Sequence, residues 1–279
     1  MTSPTGSDDL LAEWSRRFAE PVTGWSSREF SGVVETVDPP WSYATLARNA
    51  LTAAPSALDL GTGGGEFLTG LADVLPADTH ATEGWAPNLP VARTALAPLG
   101  ITVEPHDATR ERLPFPDDRF DVVLSRHTAY DADDVSRVLR PGGTFLTQQV
   151  DGRNLDDLVS EFGAEPVFQD VTLENAHRAA VSADLHVEVA ESWSGPVRFA
   201  DVSTLVSFLR TVPWHLPTDF TVARYAGVLL ALHARAQLQF TERRFLLRVR
   251  SSSPRTEAGR PVLDRGPAAA GVPGPRTGS

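Results

Sequence analysis

Four glycines fall within five positions in the run Ala57-Leu58-Asp59-Leu60-Gly61-Thr62-Gly63-Gly64-Gly65-Glu66-Phe67, and this crowding constrains the fold more than any other feature. The run opens shortly after Pro55 with a short, mostly apolar segment, the pattern of a buried strand. Phe67, Leu68, Leu71, Val74 and Leu75 then resume at helical spacing. Glycines are needed where the backbone takes positive φ and where a ligand meets the main chain with no Cβ in the way. A helix start beyond them offers unpaired N–H groups. The sequence therefore reads as strand, glycine turn, helix: the ligand-binding turn of a doubly wound α/β sheet.

The turn by itself leaves the ligand open. A nicotinamide dinucleotide would set its pyrophosphate on those N–H groups, but G-x-G-x-x-G requires glycine where this chain has Glu66. Asp59, two residues before the first glycine, suits a ligand that carries an ammonium group, met directly or through water. Glu83 closes the next predicted strand, His80 to Glu83. A carboxylate there can accept both hydroxyls of a ribose, which does not separate one adenosyl ligand from another.

Alternation of strands and helices continues along the chain. Further strands are predicted at Gly100 to Val103, Phe120 to Leu124, Thr144 to Val150, about His186 to Trp193, and Arg244 to Val249. Helical spacing covers Pro87 to Leu96 and Asp131 to Leu139. This order implies a seven-stranded, mainly parallel sheet with helices on both faces. N-terminal helices are expected within about 8–52, the first carrying Leu10, Leu11, Trp14 and Phe18 at helical spacing, ahead of a core at 55–150. Between the last two strands, about 195–239 reads as a helical cap insertion with segments near Asp201 to Thr211 and Thr221 to Gln237. Insertions of that size often form lids or substrate walls. One domain over 1–250 is the expected unit. From Ser251 to Ser279 the chain is rich in Pro, Gly, Ala and Arg with almost no apolar pattern, the composition of a disordered tail.

Two later stretches sharpen the ligand. His106-Asp107-Ala108-Thr109 is followed by Leu113-Pro114-Phe115-Pro116-Asp117 and then Phe120-Asp121, and Val138-Leu139-Arg140-Pro141-Gly142-Gly143 precedes the fifth strand. With the glycine turn, these motifs resemble those of the class I S-adenosylmethionine (SAM) dependent methyltransferases, small-molecule type 11 branch, over about Ala57 to Val150. The resemblance implies a Rossmann-like class I methyltransferase fold, SAM as cofactor, and a SAM-dependent methyltransferase activity. It also implies that Asp107 bonds the adenine amine and the Ala108 N–H a ring nitrogen. The cofactor-binding set is then Asp59, Gly61, Thr62, Gly63, Glu83, Asp107, Ala108 and Ser125.

Ligands bind beyond the carboxyl ends of strands in such sheets, so Ser125-Arg126-His127 is expected near the reacting methyl group. His127 is either the group that accepts a proton from a hydroxyl or amine as it is methylated or a wall residue. Arg126, His127, Trp214 and His215 are the candidates for acceptor binding, the last two in Pro213-Trp214-His215-Leu216-Pro217 of the insertion. Asp131, Asp133 and Asp134 are read as helix-capping acids, and no metal is expected.

Composition bounds the acceptor. Net charge is −11, all 25 basic residues are arginine, and no more than two are adjacent. Nucleic-acid binders usually carry a basic field, so an RNA base is the less favoured acceptor and a soluble small molecule, as in secondary metabolism, the preferred one. A SAM-binding protein without methyl transfer, such as a cyclase or sensor, is the other alternative. Cysteine is absent, and the sequence shows no secretion signal or membrane span, so a cytoplasmic location is expected. The sequence sets no oligomeric state.

Overall fold

The computed structural model describes residues 5–22, 30, 32–108 and 111–252; most of the tail at 251–279 lies outside them. The elements in order are α1 (Thr5–Ala19), β1 (Val34–Thr36), α2 (Tyr43–Leu51), β2 (Ser56–Leu60), α3 (Glu66–Thr69), β3 (Asp78–Glu83), α4 (Leu89–Leu96), β4 (Thr102–Pro105), β5 (Phe120–Arg126), α5 (Ala132–Val138), β6 (Leu139–Val150), α6 (Asp156–Glu161), α7 (Leu173–Ser182), β7 (Leu185–Phe199), α8 (Val202–Thr211), α9 (Ala226–His233) and β8 (Leu238–Ser251).

The strands form one sheet in the order β4-β3-β2-β5-β6-β8-β7-β1. From β4 through β6 every pairing is parallel, whereas β8 is antiparallel to both β6 and β7. Chain direction across the sheet reverses between β2 and β5, where Leu60 stands beside Ser125. That is the topological switch point, and it opens a crevice at the carboxyl ends of these two strands.

The sheet has eight strands, not seven. The extra one, β1, pairs antiparallel with β7, Val34 opposite Phe199. It spans three half-exposed or exposed residues, too few to show alternation, so its partner and not its own sequence makes it a strand. Arg140 to Gly143, which the sequence sets ahead of the fifth strand, is absorbed into β6 as a bulge, with Phe120 opposite Leu139 and Val122 already opposite Thr144. Gly142 takes φ +78° there. β7 and β8 also run past the alternating residues, which leaves 200–237 as the connecting cap.

Local chemistry explains the helix starts. Ser42, Asp131, Thr172 and Asp201 each accept a hydrogen bond from the N–H three residues on, capping α2, α5, α7 and α8. Tyr43, Ala47 and Leu51 then recur on one face of α2 and are buried against the sheet with Leu124, Leu146 and Leu246. On the other side Leu58, Phe120, Val123, Phe145 and Phe245 pack against α5 and α7 residues such as Val135 and Ala176.

The cap has its own apolar core. Trp14 of α1, Leu158 of α6, Leu205 and Leu209 of α8, Leu229 of α9 and Phe240 of β8 are all buried together. Trp14 Nε1 donates to Ser203 Oγ at 3.2 Å, and Arg210 donates to the Glu20 carbonyl and carboxylate, each at 3.2 Å. The first helix of the chain is therefore built into the cap.

Candidate active site

The glycine turn is held open by the strand beside it. Thr62 N–H donates to the Thr82 carbonyl at 2.8 Å, and Gly61 N–H to Thr82 Oγ1 at 3.3 Å. Gly61, Gly63 and Gly65 all take positive φ, of 62°, 64° and 87°. At Gly65 a Cβ would also fall 2.8 Å from Leu96 Cγ, so conformation and space both exclude a side chain. At Gly61 it would run into the Thr128 side chain, which lies over the turn.

Two carboxyls border the turn. Glu83, at the end of β3, accepts Gly63 N–H at 2.6 Å with one oxygen and Trp85 N–H at 2.7 Å with the other. Burial pushes its carboxyl up and these N–H groups oppose that. Asp59 in β2 is only 4% exposed. Burial pushes its carboxyl up to about 7, moderated by the Thr62 hydroxyl and Arg126, with Glu83 adding to the rise. The buried Thr62 hydroxyl is close enough for that moderation but forms no well-aligned hydrogen bond. A buried acid with a raised pKa and an unsatisfied hydroxyl beside it suits a ligand that brings a positive charge and a polar atom.

Asp107 and Ala108 follow β4, both half-buried. The loop is held to β3 by His106 N–H, which donates to the Glu83 carbonyl at 3.1 Å. A Cβ on Gly84 would fall 2.7 Å from the His106 carbonyl oxygen, so the two loops touch. Ser125 is buried in β5: its carbonyl accepts Tyr43 Oη–H at 3.0 Å, and its hydroxyl accepts from Gln149 Nε2 at 3.2 Å.

Across the crevice the chemistry changes sign. The Arg126 guanidinium lies 4.9 Å above the Phe67 ring. His127 takes φ +59°, a left-handed conformation uncommon outside glycine, and its N–H donates to the Gln148 carbonyl at 2.9 Å. The Gln148 side chain reaches the same residue: its Nε2 lies 3.1 Å from His127 Nε2, and its Oε1 accepts from Trp41 Nε1 at 2.8 Å. Burial pushes the His127 imidazole down to about 3, with Arg244 and Arg126 acting the same way. Burial and Arg244 likewise lower His215 to about 4. Arg244, anchored by Asn154 Oδ1 at 2.7 Å and Glu242 Oε1 at 2.8 Å, thus acts on both histidines. Trp214 and His215 line a small pocket with Phe168, Val150 and Asp151. Its volume is about 20 Å³, room for roughly one water molecule.

The structure thus gathers Asp59, Gly61, Thr62, Gly63 and Glu83 at one turn, with Asp107 and Ala108 joined to it by the loop contact. Arg126 and His127 follow β5 across the switch point. Trp214 and His215 lie between β7 and β8, and the charge of Arg244 acts on both His215 and His127. No motif marks Gln148 or Arg244 in the sequence, and Trp41 stands there among the aromatic residues before the first core strand, as core packing or a wall over the cofactor. The acids after β5 act structurally: Asp131 caps α5, while Asp134 accepts from Arg137 Nε at 2.7 Å and from Leu113 N–H.

Comparison with known proteins agrees with this architecture. Residues 58–147 match the family described as "Methyltransferase domain". The chain is 32% identical over 154 residues to a demethylmenaquinone methyltransferase of Roseiflexus castenholzii, an alignment covering 51% of this chain and 62% of that protein. It is 28% identical over 152 residues to the uncharacterized protein Rv1405c of Mycobacterium tuberculosis, covering 52% and 53%. The chain thus spans a little over half the length of these relatives. Among solved structures, YcgJ of Bacillus subtilis superposes with a TM-score of 0.54 at 16% identity, over 76% of this chain and 99% of that one. A functionally unknown protein of Deinococcus radiodurans superposes with a TM-score of 0.52 at 15% identity, over 88% and 98%; at such identities the likeness is one of fold. Residues 58–147 thus match a methyltransferase domain, and the chain is similar to methyltransferases over about half its length.

Proposed function

We propose that this protein transfers a methyl group from SAM to a soluble small molecule with a nucleophilic O, N or C atom, in the cytoplasm. The observation that carries the reading is the buried Asp59 beside the unsatisfied Thr62 hydroxyl, set with Glu83 around a positive-φ glycine turn at the switch point. In this reading Asp59 and Thr62 serve the ammonium end of the cofactor and Glu83 the ribose hydroxyls. Asp107 and the Ala108 N–H serve the adenine, and Gly61, Gly63 and Ser125 shape the backbone wall.

Bound SAM supplies an activated methyl group on a good sulfur leaving group. The chain's own task is then to orient the acceptor and exclude water. Arg126, His127 and the Trp214–His215 turn supply the acceptor side. Among the described residues no helix is long and apolar enough to cross a membrane. The test is calorimetry with SAM, its demethylated product S-adenosylhomocysteine (SAH) and NAD, followed by mass spectrometry of candidate acceptors incubated with labelled SAM. Binding of SAM and SAH but not NAD is expected. Tight NAD binding with none to SAM or SAH would overturn the reading.

A further inference from the structure

The contact between Trp41 and Gln148 determines the form of His127, in a way that deepens the reading above and rests on it. An indole N–H can only donate. Its partner at 2.8 Å is therefore the oxygen of the Gln148 side-chain amide. The amide nitrogen then faces the other way, toward His127 Nε2 at 3.1 Å. An amide NH₂ also only donates, so Nε2 receives through its lone pair and the proton of the neutral ring sits on Nδ1.

We propose that Trp41 and Gln148 are positioning residues that fix His127 as a hydrogen-bond donor, offering Nδ1–H to a lone pair on an oxygen of the methyl acceptor. His127 is then not the base that removes the acceptor's proton. A base needs a free lone pair, and the only one on this ring is already taken by Gln148. Among the described residues Nδ1 makes no hydrogen bond, and His127 as a whole is half-buried.

The backbone supports the same role. Gln148 and Arg126 are register partners on β6 and β5, so the Gln148 carbonyl and side chain both reach the residue that follows. Two bonds from one glutamine hold His127 in its positive-φ conformation. The charged groups that act on the ring are Arg126 from β5 and Arg244 from β8, and both oppose a second proton. A neutral donor flanked by two cations favours an acceptor oxygen that carries negative charge, and disfavours an ammonium. An acceptor that enters with a proton on that oxygen must release it to solvent.

The test is ¹⁵N NMR of the full-length protein labelled at the histidine rings, with the His127 signals assigned by their loss in His127→Asn. In the wild type, with or without SAH, Nδ1 is expected to be protonated and Nε2 to be a lone-pair nitrogen, with no titration between pH 5 and 8. Gln148→Glu leaves one oxygen for Trp41 and turns the other into an acceptor, so the proton is expected to move to Nε2. Should that variant not fold, Trp41→Phe frees the amide to turn over, and a mixture of the two tautomers is expected.

An Nε2–H tautomer in the wild type, titration of His127 within that pH range, or an unchanged tautomer in both variants would overturn the proposal. So would slow exchange of Nδ1–H with water in the free protein, because it would place the donor away from the crevice. Calorimetry on the same samples keeps the two ideas apart. Loss of the tautomer pattern with SAH binding intact refutes the donor role alone, whereas no SAH binding refutes the methyltransferase reading itself.

Discussion

On one side of the crevice, Asp59 and Glu83 stand around a turn whose main chain does most of the shaping. On the other, Arg126, His127 and Arg244 present donors and positive charge, and side chains from distant parts of the chain do the shaping. Burial drives Asp59 toward its neutral form, and the Thr62 hydroxyl and Arg126 offset this only in part. Burial keeps His127 neutral, and two nearby cations act in the same direction. Burial favours the uncharged form in both cases, but with opposite consequences. The acid is left ready to ionise when a cation arrives, and the imidazole is left unable to take up a proton. The first suits a cationic cofactor and the second an electron-rich acceptor.

The sharpest way to break this contrast is Asp59→Asn. The unfolded carboxyl ionises near its ordinary 3.8 and the folded one near 7. Between those values the folded state holds the extra proton, so stability is expected to fall as pH rises through this window. Above pH 7 the full cost is about 4 kcal/mol. Urea unfolding of the ligand-free protein should show this slope in the wild type and not in Asp59→Asn, which should be the more stable protein at pH 8 and the weaker SAM binder. An equal slope in both would remove Asp59 as its source. SAM binding to the wild type at pH 6 should also release protons, seen as a dependence of the calorimetric heat on the buffer.

Smaller effects sharpen the boundary between the two sides. Gly65→Ala forces a side chain into positive φ and against Leu96, an expected loss of about 1–3 kcal/mol in unfolding free energy; an unchanged melting temperature would mean that the turn relaxes freely. Glu83→Gln keeps the shape but loses the charge, and is expected to weaken SAM and SAH by about 1–3 kcal/mol in a titration. Trp214→Ala falls on the side proposed for the acceptor. Its effect on SAM affinity should stay within about 0.5 kcal/mol while turnover of a true acceptor drops. If SAM binding disappears in a folded Trp214→Ala protein, the cap belongs to the cofactor side.

The same division explains what could be read from the sequence. The glycine turn, Asp59 and Glu83 are legible because turn chemistry is local: positive φ selects glycine, and the acids stand at or near the ends of consecutive strands. Seven of the eight strands carry their own apolar pattern, whereas β1 is too short and too exposed to do so. The side proposed for the acceptor is assembled by register. Trp41 and Gln148 are 107 residues apart and meet only because α2, which Trp41 precedes, packs on the sheet over β5 and β6. Arg244 reads as one more strand residue until β8 places it near two histidines. His127 was visible as a candidate, but the choice between base and donor depended on the amide beside it, which no spacing rule reveals.

Protein synthesis gives the contact between Trp14 and Ser203 a clock. The two residues are 189 positions apart, so at ribosomal speeds α1 is made roughly 10–40 s before its partner helix. Over that interval Leu10, Leu11, Trp14 and Phe18 form an apolar face with nothing to cover it. The sheet strands β2 to β6 are complete well before then, while the cap closes only as the last strand is made. A chain interrupted before α8 would keep the whole glycine turn and still leave its own beginning exposed, a ready target for chaperones and proteases.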